Sequence, residues 1–204
     1  MSPLSPRLRF STLALCLGAA AQPATMQQFT KLQADRFQAK LVQIVLSGSS
    51  APARGAAPRS TEVTDAEVNS YLRFHAADQI PPGIVEPTLN AAGAGRVRGR
   101  AVVDLDVVRK QQQRGWLDPM GYVGGRMPVT ATGTLTTKDG IGHFQLESAE
   151  ISGVTVPKTV LQELLSHYSA TPEDPDGINM DEPFELPSRI REIRVKSGSA
   201  TIVQ

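Results

Sequence analysis

Cysteine is nearly absent from this 204-residue chain: Cys16 is the single one, and it sits in an N-terminal apolar stretch. One thiol closes no internal disulfide, so the fold has to hold by burial and hydrogen bonding. Aromatic residues make up only 5% of the chain. A core built from it uses Val, Leu, Ile and Ala, and platforms that stack sugars or single-stranded nucleic acid on rings are disfavoured. Neither sign of charge dominates, with 21 Lys and Arg against 20 Asp and Glu. The field that draws a protein to nucleic acid or to an anionic membrane is therefore missing. No apolar run reaches the roughly 20 residues that cross about 30 Å of hydrocarbon. There is no GxSxG elbow, HExxH, Walker loop or CxxC pair. The expectation is a protein without a catalytic motif, cofactor or metal, although a dispersed, unreadable active site stays open.

What is there begins with an address. Arg7 and Arg9 form a basic n-region, Phe10 to Gly18 is apolar, and Ala19-Ala20-Ala21 offers small residues before Gln22. This is the layout of a secretory signal peptide over residues 1–21, which predicts a periplasmic or secreted protein. Leu15 before Cys16 is too large for a lipobox, so cleavage after Ala21 is preferred to acylation. A retained N-terminal anchor is the remaining alternative. About 180 residues would follow cleavage, enough for one domain with a substantial core.

Met26 to Leu46 carries Phe29, Leu32, Phe37, Leu41, Ile44 and Val45 at helical spacing, ending at Ser47-Gly48. Residues 22–48 are thus expected to be an amphipathic helix, and 49–59, rich in Ala, Pro, Gly and Ser, a linker. The helix either docks on the domain or stands apart on this tether, where it is a candidate contact for an envelope protein. The domain proper is expected over 60–204. Thr64-Asp65-Ala66-Glu67 has the spacing of a capping box, opening a helix with Val68, Tyr71, Leu72 and His75. Ile80-Pro81-Pro82-Gly83 stops it.

The period then changes to two. A strand is expected over Ile84 to Asn90, weakened by Pro87. Val97, Gly99, Ala101, Val103, Leu105 and Val107 alternate with Arg98, Arg100, Asp104 and Asp106. A polar connector (Arg109 to Arg114) and a Gly-rich stretch (Trp116 to Gly125) follow. Met127 to Leu135 alternates again, Lys138-Asp139-Gly140 makes a hairpin, and Phe144 and Leu146 open the return strand. Pro157 suits the first helical position, before a stripe of Val160, Leu161, Leu164, Leu165 and Tyr168. Thr171 to Pro183 reads as an acidic loop, and two short strands close the chain. This order predicts an α+β fold, a curved antiparallel β-sheet packed on one or two helices and preceded by the amphipathic helix.

Weaker constellations resolve blandly. Gly93-Ala94-Gly95 with Gly99 has the wrong spacing for a dinucleotide loop and reads as a turn. Asp174-Pro175-Asp176-Gly177 lacks the distal Glu of an EF-hand and reads as solvated acid, with a loose calcium site as the alternative. His75, His143 and His167 are isolated. Asp104 and Asp106 are expected to pair with Arg98 and Arg100 across neighbouring strands.

Three segments taken together, Val63 to Leu72, Glu150 to Pro157 and Phe184 to Pro187, resemble small exported bacterial proteins of uncharacterised function. Some of those are similar to the tubular lipid-binding superfamily. The resemblance implies a curved antiparallel sheet wrapped on a helix around a lipid groove, over Ser60 to Gln204. It transfers no ligand residue.

One feature of the residues themselves points the same way. Gly99, Ala101, Ala131 and Gly133 are small residues on the expected inner face. Either a helix packs closely there or a cavity opens. In the second case the walls would be Leu72, Ala101, Val103, Leu105, Ala131, Leu135, Phe144, Leu146, Leu161 and Leu165. With no charge among them, the ligand would be a lipid or another apolar molecule, bound by buried area. The competing expectation is a structural or interaction module of the envelope with a filled core and no ligand.

Overall fold

The computed structural model describes residues 28–49, 55, 57–107, 124–170 and 175–204, with the side chains of residues 164, 167 and 168 excepted. The segment expected to be a signal peptide, most of the expected linker, the 109–114 connector and nearly all of the Gly-rich stretch lie outside the described residues, as does the start of the acidic loop.

The fold is α+β. In chain order it comprises α1 (Lys31–Ser49), β1 (Ser60–Thr64), α2 (Asp65–Phe74), β2 (Ile84–Gly93), β3 (Arg96–Asp104), β4 (Arg126–Lys138), β5 (Ile141–Ile151), β6 (Val154–Thr155), α3 (Lys158–Ser169), β7 (Phe184–Glu185), β8 (Glu192–Lys196) and β9 (Ser199–Val203). Strands β2-β3-β4-β5-β6 form an antiparallel meander, and β7 pairs with the other end of β5. A second antiparallel sheet runs β1-β9-β8. The two sheets meet at their turns. The Gly95 amide donates to the Val195 carbonyl, the Gly198 amide to the Ala91 carbonyl, and Thr137 exchanges hydrogen bonds with the Ile193 backbone. The meander is not closed.

A cluster of buried apolar side chains lies at the small sheet. Ile44 of α1 is buried with Leu186 and Ile190, against Ile193 and Ile202. Burying an Ile fully is worth about 1.5–3 kcal/mol, so α1 is docked, not held off on its linker. Its C-terminal turn presses on the chain: a Cβ at Gly48 would lie 2.2 Å from the Ser188 carbonyl oxygen. The Gln204 side chain donates to the carbonyls of Ile44 (2.8 Å) and Ser188 (2.7 Å). The helix begins at Lys31 instead of Met26, which leaves Phe29 before it, and runs through Ser47-Gly48 to Ser49.

Helix α2 joins the layers, and its polar residues do the joining. Thr64 accepts from the Glu67 amide while the Glu67 carboxylate accepts from the Thr64 amide, a complete capping box. Asn69, 2% exposed, donates to the Leu89 carbonyl (2.8 Å) and accepts from the Leu89 amide (2.7 Å). Asp65 accepts from the Ala91 amide. Two α2 side chains thereby satisfy the free edge of β2, which would otherwise invite pairing with another chain. Fully buried Ser70 accepts from the Thr30 amide and donates to Gln33. The Phe37–Tyr71 ring contact (5.3 Å) and the hydrogen bond between His75 Nε2 and Asp35 (2.7 Å) complete the α1–α2 seam.

Several local expectations are corrected. β2 extends to Gly93 and is bulged between Val85 and Thr88, with Glu86 at φ 50°. β3 ends at Asp104, and Leu105 to Val107 form a helical turn. The Asp104 carboxylate accepts from the Val107 amide and so turns the chain out of the sheet. Asp104 pairs with Arg126, not with Arg98 or Arg100, and Asp106, off the strand, accepts from the Gly125 amide. Pro157 is the N-cap residue of α3, one position before the first helical residue.

Candidate ligand-binding sheet face

Register decides which side chains share a face. Across the meander, Leu89 pairs with Gly99, Gly99 with Ala131, and Ala131 with Ala149. The next rungs are Ala101–Val129–Ile151 and Val97–Gly133–Leu146, with Leu135 opposite Phe144. Side chains alternate along each strand, so Ala101, Val103, Ala131, Leu135, Phe144 and Leu146 lie on one face. No charged residue interrupts these rungs. The other face carries exposed Arg98, Arg100, His143, Gln145, Glu147 and Glu150. The pattern is that of a sheet with one apolar and one solvated face.

The apolar face is not sealed. Ala101, Val103, Ala131, Leu135, Phe144 and Leu146 are all half-buried, and Leu89 is 42% exposed. A Cβ built on Gly99 meets no atom within 4 Å. Gly133 differs, since a Cβ there would lie 2.4 Å from the Phe144 ring, which already occupies the space. The Phe184 ring covers Gly142 in the same way. The small-residue patch is thus filled at Gly133 and open at Gly99.

The remaining wall residues are scattered. Leu105 is buried in the turn after β3. Leu72 is half-buried on α2, and Leu161 and Leu165 are half-buried on α3. The main neighbour of α3 is β5. A cavity of about 500 Å³ lies on the polar side of α3, lined by Gln162, Ser166, Asp176, Gly177, Asn179 and Glu182. It is not the apolar space between helix and sheet that the sequence suggested.

Charge is concentrated away from the apolar face. Glu67, a residue 8% exposed, accepts from Lys40 Nζ at both carboxylate oxygens at 2.8 Å, and Lys40 also donates to the Glu62 carbonyl. Burial pushes the Glu67 carboxyl up, but the Lys40 hydrogen bond, the Thr64 amide and the Lys40 charge together outweigh it and hold the pKa below the usual range. Asp104 is lowered chiefly by its hydrogen bond from Arg126. Among the described residues no group of three or more His, Cys, Asp or Glu could hold a metal ion, and no helix is long and apolar enough to cross a membrane. Sequence reasoning missed the bridging roles of Asp65, Asn69 and Ser70. The strand that Asp65 and Asn69 grip was expected from Ile84 to Asn90, but nothing local showed that it packs its free edge against this helix.

No family model matches the chain, and no curated protein matches it. Among solved structures, the crystal structure of a lipopolysaccharide binding protein aligns over 71% of this chain at 13% sequence identity and a TM-score of 0.22. The alignment spans 40% of that protein's length. A superposition this loose carries no argument about ligand.

Proposed function

We propose that this is an exported, non-enzymatic carrier that holds a lipid or another apolar molecule against the apolar face of the meander. One observation carries the reading: an uncharged face spanning four strands is half-buried except at Gly133 and Ala149 and is open above Gly99. An unsealed apolar surface costs about 25 cal/mol per Å² in water, so an apolar ligand gains by covering it. Shape and buried area would select the ligand, because the face offers no charge to orient it. The resemblance noted in the sequence agrees with this reading, as does the secretory layout of the first 21 residues. Native mass spectrometry of the full chain recovered from an exporting host tests it. The expected result is a heavier species that falls to the apo mass after solvent extraction, with the extract containing an apolar compound. A clean apo mass in every preparation overturns it.

A second reading, an envelope interaction module, is favoured by α1. Its outer side exposes Leu32 (61%), Val42 (52%), Val45 (54%) and Leu46 (65%) although its inner side is docked. That module would show an apo mass together with a loss of assembly when Leu46 is changed to Lys.

A further inference from the structure

Helix α1 is apolar on two sides. Toward the domain it turns Ala34 and Ile44, both buried, with half-buried Phe37 and Leu41 between them. At 3.6 residues per turn, Leu32, Ala39, Val42 and Leu46 fall on the opposite side. All four are exposed, Leu32 at 61% and Leu46 at 65%. A helix docked by one face is expected to be polar on the other, and this one is not. The spacing of the outer stripe says what fits it. Leu32, Ala39 and Leu46 recur every seven residues, and Val42 follows Ala39 by three, which are the a and d positions of a heptad seam. Asp35, the preceding d position, bonds to His75 Nε2 at 2.7 Å. A seam of this kind takes knobs from a second helix.

The stripe is also self-complementary. Leu32 and Leu46 stand seven residues either side of Ala39. A second α1 laid antiparallel across Ala39 puts each Leu32 against Leu46 of the other copy, with the small Ala39 side chains at the two-fold axis, where the helices come closest. Charge favours the same orientation. The first turn of α1 has no acidic residue and its last turn no basic one. Exposed Lys31 instead stands at the positive end of its own helix dipole. In an antiparallel pair this ammonium lies beside the C-terminal, negative end of the other helix. A parallel pair would bring the two Lys31 side chains and the two positive ends together.

We propose that the outer side of α1 pairs with α1 of a second copy of this chain, antiparallel and two-fold about Ala39. The pairing rests on the surface that favours the interaction-module reading and names its partner, and it requires neither an occupied nor an empty sheet face. The helix is 19 residues long, about 28 Å at 1.5 Å per residue. A seam this small belongs with weak, reversible interfaces, so dissociation is expected in the micromolar range. Sedimentation equilibrium on the full chain is expected to show a monomer–dimer equilibrium. Leu46→Lys is expected to weaken it about tenfold or more, because each new charge would sit against Leu32 of the other copy. Leu46 is 65% exposed, so the variant is expected to keep the melting temperature of the parent monomer. Orientation is read by mild oxidation in a Cys16→Ser background. Leu32→Cys and Leu46→Cys chains are each expected to give little covalent dimer alone and several-fold more when mixed, since a disulfide needs its Cβ atoms about 4 Å apart. A parent that stays monomeric at every concentration, a dimer indifferent to Leu46→Lys, or cross-linking of each variant alone as readily as in the mixture overturns the pairing. A monomeric parent removes the second copy as partner without touching the interaction-module reading, which fails if Leu46→Lys disturbs no assembly in the host. Bound apolar compound is extracted and measured separately, so the carrier reading also fails independently.

Discussion

Glu67 concentrates several physical effects in one carboxylate. It closes the capping box on Thr64, pairs with Lys40 of α1, and is almost buried. A buried charge is tolerated only when partnered, and here the Lys40 ammonium and the Thr64 amide together supply the partners. The consequence is a pH dependence of definite sign. The folded pKa lies below the unfolded value, near 4 for a free carboxylate. The unfolded chain therefore binds the extra proton first on acidification. The stabilisation is fully present above the unfolded value and is lost as pH falls through the folded one. Asp104 and Glu192 are lowered too, mainly by hydrogen bonds from Arg126 and Arg194, so the Glu67 share has to be isolated by comparison. Glu67→Gln keeps the shape and removes the charge. Its urea midpoint should lie below the parent's at pH 7, and the gap should narrow as the pH falls below the unfolded value of about 4. A gap independent of pH would show that Lys40 and Glu67 contribute by packing alone.

At the scale of elements, α2 is the joint between the docked helix and the meander. Asn69 substitutes for a neighbouring strand by satisfying both the N–H and the C=O of Leu89. Asn69→Ala leaves both backbone groups without that partner, at a cost of about 1–3 kcal/mol for each group that water does not reach. The expected readout is a lower urea midpoint together with concentration-dependent association, because the β2 edge is uncovered. An unchanged midpoint with a monomeric protein would refute the edge-cover role. Much of the element structure was legible in the sequence. The period-two runs of β3 and β4 and the Asp139-Gly140 hairpin, with φ of 51° and 88°, need only local rules, as does the Thr64–Glu67 cap. What was not legible depended on partners distant in sequence. Alternation continued past Asp104, but the Asp104 carboxylate captured the Val107 amide and ended the strand. The Ala/Pro/Gly linker hid the docking of α1 because Ile44 finds Leu186 and Ile190 only in the folded chain. Gly99 and Gly133 looked alike in sequence, yet a ring from β5 fills the space at Gly133 alone.

At the scale of the molecule, the described residues divide into a tightly packed end and a thinly covered one. Ile44, Leu186, Ile190, Val195 and Val203 are buried where α1 meets the small sheet, whereas the apolar face of the meander has Ala149 buried among half-buried neighbours. A protein whose stability resides at one end can leave the other free to bind, since ligand-facing regions belong to the less stable part of a structure. Gly99 separates the two roles experimentally. It carries no positive φ, and nothing lies within 4 Å of a Cβ placed there. Gly99→Val should therefore fold at least as well as the parent, gaining about 0.5–1 kcal/mol from reduced chain entropy in a strand. The same side chain would stand in the proposed ligand space and weaken capture of a dansyl-labelled fatty acid. Gly133→Val is the opposite control, because its Cβ would collide with the Phe144 ring, and overpacking costs about 1–3 kcal/mol. Thermal unfolding and probe titration on both variants decide the matter. A carrier predicts that Gly99→Val separates stability from binding, with the melting temperature held or raised and the affinity reduced. If Gly99→Val binds the probe as tightly as the parent, the apolar face beside β3 is not where the ligand lies, and the open space there belongs to some other contact of the fold.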